Sequence, residues 1–202
     1  MESLADRQRE VKEKVAKDAI YEAALEVISR NKGENCTMHE IAEAAGIATG
    51  TLYNYFKNKE GLLYYVHRRL LKTILKKMRE ISEQKAPAPE RLSNLTQRVF
   101  RFGEQHHVVF DLAERFKIDD LILTEEKMEE ISQATNCIKN VLDEGVEHGV
   151  FRQIDTAATA KAFFLAMIGA IHLRKYIGEF DSLKNSEELL SSFRDHLGME
   201  DS

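Results

Sequence analysis

Apolar residues recur every three or four positions along most of this 202-residue chain. That spacing places them on one face of an α-helix, and no segment alternates cleanly enough between apolar and polar residues to indicate a β-strand. The pattern predicts an all-α protein of about nine helices without an internal repeat. Including their caps, the predicted helices cover residues 6–31, 37–45, 48–55, 58–84, 89–102, 104–116, 119–148, 155–178 and 185–198.

Cap and breaker residues set the predicted helix ends. Residues whose side chains can accept hydrogen bonds from free backbone N–H groups at a helix start are Asn58, Asp155 and either Asn185 or Ser186. The only two prolines, Pro87 and Pro89, separate the fourth helix from the fifth. Gly103 is expected to interrupt the helical pattern again.

Residues 37–59 form the most informative segment. Thr37 and Glu40 have the spacing of a capping box, in which each side chain accepts a hydrogen bond from a free backbone N–H group at a helix start. Gly46 can adopt the left-handed conformation that commonly ends a helix. A second short helix follows over residues 48–55. Two helices joined by so short a turn lie crossed, and the second can enter the major groove of DNA.

This segment resembles the TetR family of bacterial and archaeal transcriptional regulators. The resemblance covers roughly the first third of the chain. The residues that match are Ile41, Ala42, Ala45, Gly46, Ile47, Gly50, Thr51, Leu52, Tyr53, Tyr55, Phe56, Lys59, Glu60, Leu62 and Leu63. One departure is Ala48, where the family often has Ser or Thr, and a lost capping side chain costs about 1 kcal/mol. Thr49 could take over the cap, or the second helix could start loosely.

The resemblance implies an N-terminal helix-turn-helix DNA-binding domain with three helices over residues 1–60. It also implies a larger C-terminal helical domain over residues 61–202, which binds a ligand and forms a homodimer. In the second short helix, the residues that the resemblance assigns to base edges are Thr49, Gly50, Thr51 and Asn54. The residues that it assigns to phosphates are Tyr53, Tyr55 and Lys59.

The chemistry of these side chains fits those roles. A threonine can meet a thymine methyl group and an asparagine can pair with adenine, while Gly50 lets the backbone approach DNA closely. Thr37 and His39 lie at a helix start, where backbone donors and the helix dipole favour a phosphate. Two assignments have alternatives, because Tyr53 could pack against the protein and His39 could face solvent. In the core we expect Leu52 and Phe56.

The formal net charge is −5, but the charged residues are unevenly distributed along the chain. Through Arg79 the chain has 15 lysine and arginine residues against 11 aspartate and glutamate residues, and after it 14 against 23. The basic excess comes from residues 61–79, which contain no acid. This stretch could attract DNA phosphates or simply form a solvated helix face.

The second domain is rich in aromatic and methionine side chains, which predicts a mostly apolar ligand held between its helices. The candidate ligand-binding residues are Phe100, His106, His107, Phe110, Met128, Phe163, Phe164 and Met167. The alternative is that the aromatic residues form an ordinary core. Because Phe163 and Phe164 are adjacent, one could face the core and the other a cavity or a partner.

Two apolar stripes predict the homodimer interface. The first consists of small residues every four positions, which would let two helices approach closely, and the second would complete a four-helix bundle. The candidate residues are Ala158, Ala162, Ala166, Ala170, Leu189, Leu190, Phe193 and Leu197. The alternative is that both stripes pack within one subunit.

Little in the sequence indicates catalytic or metal chemistry. Cys36 and Cys137 are expected to be buried thiols, with a redox sensor as the alternative. The adjacent His106 and His107 point about 100° apart on a helix, and no histidine or cysteine cluster has metal-ligand spacing. No nucleophile elbow or phosphate-binding loop is present. We therefore expect no enzymatic activity, no cofactor and no metal.

We expect a cytoplasmic protein without a membrane partner, because no apolar run is expected to reach membrane length and no signal peptide opens the sequence. The predicted function is a repressor that binds double-stranded operator DNA as a homodimer and is released by a small lipophilic effector, such as an acyl chain or an aromatic compound. The effector would favour a conformation that does not bind DNA. The alternatives are an activator, a regulator that needs no effector, and a helical enzyme or binding protein whose helix-turn-helix is purely structural.

Overall fold

The structure, a computed structural model, describes residues 4–31, 36–118, 125–177 and 180–199. Those residues form nine α-helices and no β-strand, which confirms the predicted all-α fold. The helices are α1 (Leu4–Arg30), α2 (Met38–Ala44), α3 (Thr49–Tyr55), α4 (Lys59–Ser82), α5 (Ala88–Gln105), α6 (His107–Arg115), α7 (Glu125–Glu147), α8 (Thr156–Ile177) and α9 (Ser182–Leu197).

The helices group into two compact units. The first unit contains Met1–Leu70 and His106–Leu121, and the second contains Leu71–Gln105 and Ile122–Ser202. Helix α4 therefore contributes its first half to the first unit and its second half to the second. The functional boundary after residue 60 stays a prediction, whereas the division by contacts falls ten residues further on and places α6 in the first unit.

The first unit is built around the C-terminal half of α1, which packs against α2 and α6. Apolar residues at helical spacing on these helices bury one face each. The buried residues include Ile20, Ala24 and Val27 of α1, Ile41 of α2, Leu52 of α3, Leu62 of α4, and Val109 and Leu112 of α6. In this core α2 packs against α1, and α3 packs against α2.

Helix α5 is the centre of the second unit and packs against α7, α8 and α9. Its buried apolar face includes Leu92, Leu95, Val99, Phe100 and Phe102. The prediction that Gly103 interrupts the helix is wrong, because α5 continues to Gln105. A Cβ atom at Gly103 would lie 2.9 Å from Cγ2 of Ile171. Glycine therefore allows α8 to approach α5 closely rather than ending the helix.

Two predicted helix starts are confirmed. Oδ1 of Asn58 accepts a hydrogen bond from the backbone N–H of Gly61 at 2.8 Å, at the first turn of α4. Oδ1 of Asp155 accepts from the backbone N–H of Ala158 at 2.9 Å, at the first turn of α8. Both side chains satisfy backbone donors that the helix itself leaves free.

The predicted start of the last helix is wrong. Helix α9 begins at Ser182, and Asp181 caps it by accepting a hydrogen bond from the backbone N–H of Lys184 at 2.7 Å. Asn185 instead accepts from the backbone N–H of Asp181 at 3.0 Å, and Ser186 is buried within the helix. The predicted start of the seventh helix at residue 119 and the predicted end of the eighth at residue 178 lie outside the described residues.

Helix α8 is more apolar than expected from the sequence. Its segment Thr156–Arg174, 19 residues with a mean hydropathy of 1.4, is long and apolar enough to cross a membrane by length and composition alone. The statement that no apolar run reaches membrane length is therefore wrong. Only 28% of that window is buried within the protomer, so α8 leaves much apolar surface for another contact.

Candidate nucleic-acid interface

Helix α2 begins with the predicted capping box. The hydroxyl oxygen of Thr37 accepts a hydrogen bond from the backbone N–H of Glu40 at 3.2 Å, and Oε2 of Glu40 accepts from the backbone N–H of Thr37 at 2.9 Å. The Thr37 hydroxyl lies 2.9 Å from the same Oε2. These bonds lower the pKa of Glu40 below its usual range, the backbone donor first and the hydroxyl next. The first turn of α2 is thus fixed by its own residues.

The turn between α2 and α3 depends on Gly46. Its φ of +68° lies in the left-handed region, which a residue with a Cβ atom rarely adopts. Ala48 then precedes α3 and makes no side-chain capping bond. Thr49 does not take over the cap, because its hydroxyl oxygen lies 3.1 Å from Nδ1 of His39 on α2. The departure at Ala48 therefore leaves α3 without a side-chain cap.

Helix α3 has a buried face and an exposed face. Leu52 is completely buried and Phe56, which follows the helix, is also buried, as predicted. The exposed residues among the predicted base contacts are Gly50, Thr51 and Asn54, while Thr49 is half-buried. A Cβ atom at Gly50 would have no protein atom within 4 Å. Polar groups and open backbone therefore occupy the exposed face of a helix whose other face is anchored.

The residues predicted to contact phosphates differ in exposure. Tyr53 is 48% exposed, which favours phosphate contact over packing. Tyr55 and Lys59 are half-buried, and Nζ of Lys59 lies 5.4 Å from the ring centroid of Phe116. Thr37 and His39 at the start of α2 are exposed. At this distance the face of the Phe116 ring attracts the ammonium group of Lys59 electrostatically.

The basic stretch at residues 61–79 is partly structural. Arg68 is buried. Nη1 of Arg69 lies 2.7 Å from Oδ1 of Asp18 on α1, and its guanidinium lies 4.1 Å from the ring centroid of Tyr21. Tyr64, which was not among the residues predicted to contact DNA, is 49% exposed on α4. The signal available in the sequence was its position outside the face of α4 that carries the buried Leu63, Val66 and Leu70.

The eight predicted ligand-binding residues are divided between the two units. His106, His107 and Phe110 lie in the first unit, where Phe110 packs edge to face with His67 at 5.6 Å between ring centroids. The other five lie in the second unit. The predicted set therefore does not belong to one compact unit, and its role in binding stays a prediction.

In the second unit most of these residues contribute to the core. The completely or almost completely buried ones are Phe100, Phe163 and Met167. Phe163 packs edge to face against Phe193 of α9 at 4.9 Å between centroids, whereas the adjacent Phe164 is half-buried. Met128 on α7 is half exposed. Phe163 and Phe164 thus occupy different environments.

The predicted dimer residues also differ in exposure. Ala158 and Ala162 are exposed and Ala166, Ala170, Leu189, Leu190 and Phe193 are half-buried. Leu197 is buried within the protomer, so it contributes to the protomer's own core. Three large apolar residues of α8 that were not among the predicted dimer residues are also exposed: Leu165 at 66%, Leu173 at 52% and Tyr176 at 72%.

Both cysteines, Cys36 and Cys137, are buried, and burial raises the pKa of each thiol. A thiol with a raised pKa is mostly protonated at neutral pH and reacts slowly as a nucleophile. This environment favours the buried-thiol interpretation over a redox sensor. Within the described part of the chain, no three His, Cys, Asp or Glu side chains are grouped so that they could hold a metal ion.

A capped α2, a left-handed glycine turn and an α3 with a polar exposed face together define a helix-turn-helix DNA-binding protein. Residues 20–66 match the sequence model of the family described as "Bacterial regulatory proteins, tetR family". This segment of the chain is therefore a helix-turn-helix region of the TetR type.

Several relatives are transcriptional regulators by name. The chain is 29% identical over 135 residues to the fatty acid metabolism regulator protein of Bacillus subtilis, covering 66% of this chain and 70% of the relative. It is 32% identical over 120 residues to the transcriptional repressor KstR2 of Mycobacterium tuberculosis, covering 57% and 59%.

Solved structures support the same fold. The regulator FadR of Bacillus subtilis in complex with stearoyl-CoA aligns with a TM-score of 0.63 and 25% identity, covering 86% of this chain and 95% of that one. A TetR regulator of Haloarcula marismortui aligns with a TM-score of 0.73 over 91% and 98% of the two chains. At 18% identity the second likeness concerns the fold alone.

Proposed function

We propose that this protein is a homodimeric repressor that binds a near-palindromic operator through α3 and leaves it when a lipophilic acyl effector binds. The observation that carries the DNA-binding part is the exposed polar face of α3, opposite the completely buried Leu52. A helix anchored on one side and polar on the other can enter a major groove without losing its packing.

Helices α2 and α3 would make two kinds of contact with DNA. The exposed Thr51 and Asn54, with the backbone at Gly50, would contact base edges and determine the preferred sequence. Tyr53, Lys59 and the capped start of α2 would contact phosphates and hold the helix in position. Thr49 is assigned to neither kind of contact alone, because its hydroxyl already lies 3.1 Å from Nδ1 of His39, one of the residues at the start of α2.

The homodimer would form through α8 and α9. Successive exposed apolar residues of α8 lie three, four or eight positions apart, so they share one side of the helix and could pack on another helix. These residues are Ala158, Ala162, Leu165, Leu173 and Tyr176. Leu183 at the start of α9 is a further exposed apolar residue, at 49%. A C2 dimer through this surface would place two α3 helices on two half-sites.

The effector class is supported by the relatives. One is named for fatty acid metabolism and one was solved with stearoyl-CoA. The apolar helices of the second unit suit a long acyl chain, and a cytoplasmic location suits both the effector and operator DNA. We assign the protein no catalytic role.

The DNA-binding part is tested by fluorescence anisotropy with the DNA upstream of the protein's own gene. The wild type should bind it tightly, and a Thr51→Ala, Asn54→Ala variant should bind it weakly. Ser191→Ala on the exposed face of α9 is the matched control. If the α3 variant and the control bind equally well, with unchanged circular dichroism, then α3 does not read the operator.

The effector part is tested by adding stearoyl-CoA to the wild-type complex. Release of the DNA at micromolar stearoyl-CoA, but not with free coenzyme A, supports the proposal. A complex that persists at saturating stearoyl-CoA would contradict the acyl-effector part and leave the DNA-binding part standing.

A further inference from the structure

A shallow, open depression lies on the surface of the second unit, between the end of α4 and the exposed face of α5. Its lining residues are Ile81, Gln84, Asn94, Gln97, Arg98 and Arg101. The four α5 residues follow one another at helical spacing, on the side opposite the buried Leu92 and Leu95. The depression is therefore part of the surface that α5 leaves free after its other face has packed.

The two arginines of this depression are available to a ligand. In the described part of the chain, neither Arg98 nor Arg101 takes part in a hydrogen bond or an ion pair within 4 Å, and both are exposed. The nearby acid Glu80 is already paired, because its Oε2 lies 2.7 Å from Nζ of Lys77. Arg98 is close enough to add to the lowering of the pKa of Glu80, although the hydrogen bond from Lys77 is the larger cause.

The donors in this depression suit phosphate. A guanidinium offers paired N–H groups that match two phosphate oxygens. The amides of Asn94 and Gln84 add further N–H donors, whereas Nε2 of Gln97 already donates to Oγ of Ser93 at 3.4 Å. Of the described residues that line the depression, Ile81 alone is apolar, so a long hydrocarbon chain has little to contact there. An open, cationic, hydrogen-bonding surface can hold the solvated end of a ligand whose apolar end lies elsewhere.

We infer that this depression binds the phosphate groups at the nucleotide end of an acyl-CoA effector, through Arg98 and Arg101. The inference rests on the proposed acyl-CoA effector and adds the site for its charged half. It also gives the regulator a means of distinguishing an acyl thioester of coenzyme A from the free fatty acid, because only the former carries phosphates. The contact is at the surface, so added salt weakens it.

The test compares ligands that share an acyl chain but differ in phosphate. Isothermal titration would measure the affinity of the full-length protein for stearoyl-CoA and for stearoyl-pantetheine, which lacks the nucleotide. The variants are Arg98→Gln with Arg101→Gln, and Arg115→Gln as a control at an exposed arginine of α6. Circular dichroism and thermal unfolding would verify that each variant is folded. Adenosine 3′,5′-bisphosphate serves as the probe for phosphate without an acyl chain.

The double variant should bind stearoyl-CoA about tenfold more weakly than the wild type at low salt, and stearoyl-pantetheine equally well. Raising the salt should reduce the difference in stearoyl-CoA affinity between the double variant and the wild type. Adenosine 3′,5′-bisphosphate should compete with stearoyl-CoA for the wild type but not for the double variant. Equal stearoyl-CoA affinity in the double variant and the wild type would overturn the phosphate site while leaving the proposed effector intact. An equal loss for stearoyl-pantetheine would also overturn it. If the wild type binds neither ligand, the proposed effector itself fails.

Discussion

The hydroxyl oxygen of Thr49 lies 3.1 Å from Nδ1 of His39, so the first residue of α3 is tied to the first turn of α2. Either atom can donate the proton, according to the tautomer of the imidazole. Both residues belong to the proposed DNA surface. The bond therefore orients one proposed DNA contact through another before any DNA is present, and it does so where α3 has no side-chain cap.

This contact predicts coupling between the two residues in operator binding. His39→Ala and Thr49→Val should each weaken binding, and the double variant should lose less than the sum of the two losses, with a coupling energy of about 0.5–1 kcal/mol. A double-mutant cycle measured by fluorescence anisotropy at fixed salt gives this value. Strict additivity would mean that the two side chains act independently on DNA.

Tyr53 and Lys59 should contribute affinity without sequence preference. Tyr53→Phe removes only the hydroxyl of a side chain that is 48% exposed, and Lys59→Gln removes a charge held 5.4 Å from the Phe116 ring centroid. Each should weaken binding to specific and scrambled DNA alike, and Lys59→Gln should lower the salt dependence by about one phosphate contact. An unchanged salt dependence in Lys59→Gln would remove it from the phosphate contacts.

Thr51 and Asn54 should instead determine the preferred bases. Thr51→Ala or Asn54→Ala should reduce discrimination at one operator position by about 1–3 kcal/mol and change non-specific binding little. Competition between operators substituted one base pair at a time measures this effect. A variant that loses affinity uniformly at every position would indicate a phosphate contact.

Acid should weaken the second unit through Glu144. Nη2 of the buried Arg91 lies 2.6 Å from Oε1 of Glu144, although the contact is poorly aligned at Nη2. Hydrogen bonding to Arg91, followed by its charge and that of His148, lowers the pKa of Glu144 below its usual 4.5. Because the folded-state pKa is depressed, the contribution to stability is present above pH 4.5 and is lost as the pH falls through the folded-state value.

The check is urea unfolding of the wild type and Glu144→Gln at several pH values. The wild type should be more stable near neutral pH, and the difference should shrink as the solution is acidified below about pH 4.5. A difference that stays constant over this range would show that the carboxylate charge does not contribute.

Gly145→Ala should destabilise the protein even though alanine is the better helix former. A Cβ atom at this position of α7 would lie 2.1 Å from Cδ2 and 2.3 Å from Cε2 of Phe151, whose side chain is buried. Overpacking of this kind costs about 1–3 kcal/mol, which exceeds the gain of about 1 kcal/mol in helix propensity. Thermal unfolding measures the loss, and Gly145→Ala with Phe151→Leu should recover part of it.

Leu165→Glu should convert the protein to monomers. Leu165 is 66% exposed on the protomer, so a charge there should leave the protomer folded and disrupt only a packed interface. Ser132→Glu on the exposed face of α7 is the matched control. Sedimentation velocity should show a monomer for Leu165→Glu and a dimer for Ser132→Glu. An intact dimer in Leu165→Glu would place the interface on another surface.

Local sequence signals predicted the helix-turn-helix well because its geometry depends on neighbouring residues. The capping box joins Thr37 to a residue three positions away, and Gly46 needs only its own backbone freedom. Gly103 failed for the opposite reason. Its role depends on Ile171 of α8, which is far away in sequence, and a glycine that ends a helix is indistinguishable in sequence from one that admits a neighbouring helix.

The C-terminal candidates show a similar limit. Helical spacing identified apolar stripes, but it does not tell which stripe the protomer buries. Leu197 is buried and Leu165 is exposed, although both are leucines on predicted apolar helices. Likewise, aromatic composition grouped Phe110 with Phe163, which belong to different compact units. Whether such a residue is buried, and in which unit, depends on tertiary packing. The spacing of residues in a single sequence does not specify that packing directly.

Helix α6 has a consequence for how this regulator can be taken apart. It packs on α1, buries Val109 and Leu112, and places Phe116 beside Lys59, yet it enters the chain only after α5. The first unit, which contains the helix-turn-helix, is therefore assembled from two segments of the sequence that are separated by residues 71–105. A fusion that transplants only residues 1–70 onto another sensor would leave α6 behind and uncover the face of α1 that it protects. Transfer of operator specificity to another regulator with this fold therefore requires that α6 be transferred together with residues 1–70. The alternative is to change only the exposed residues of α3.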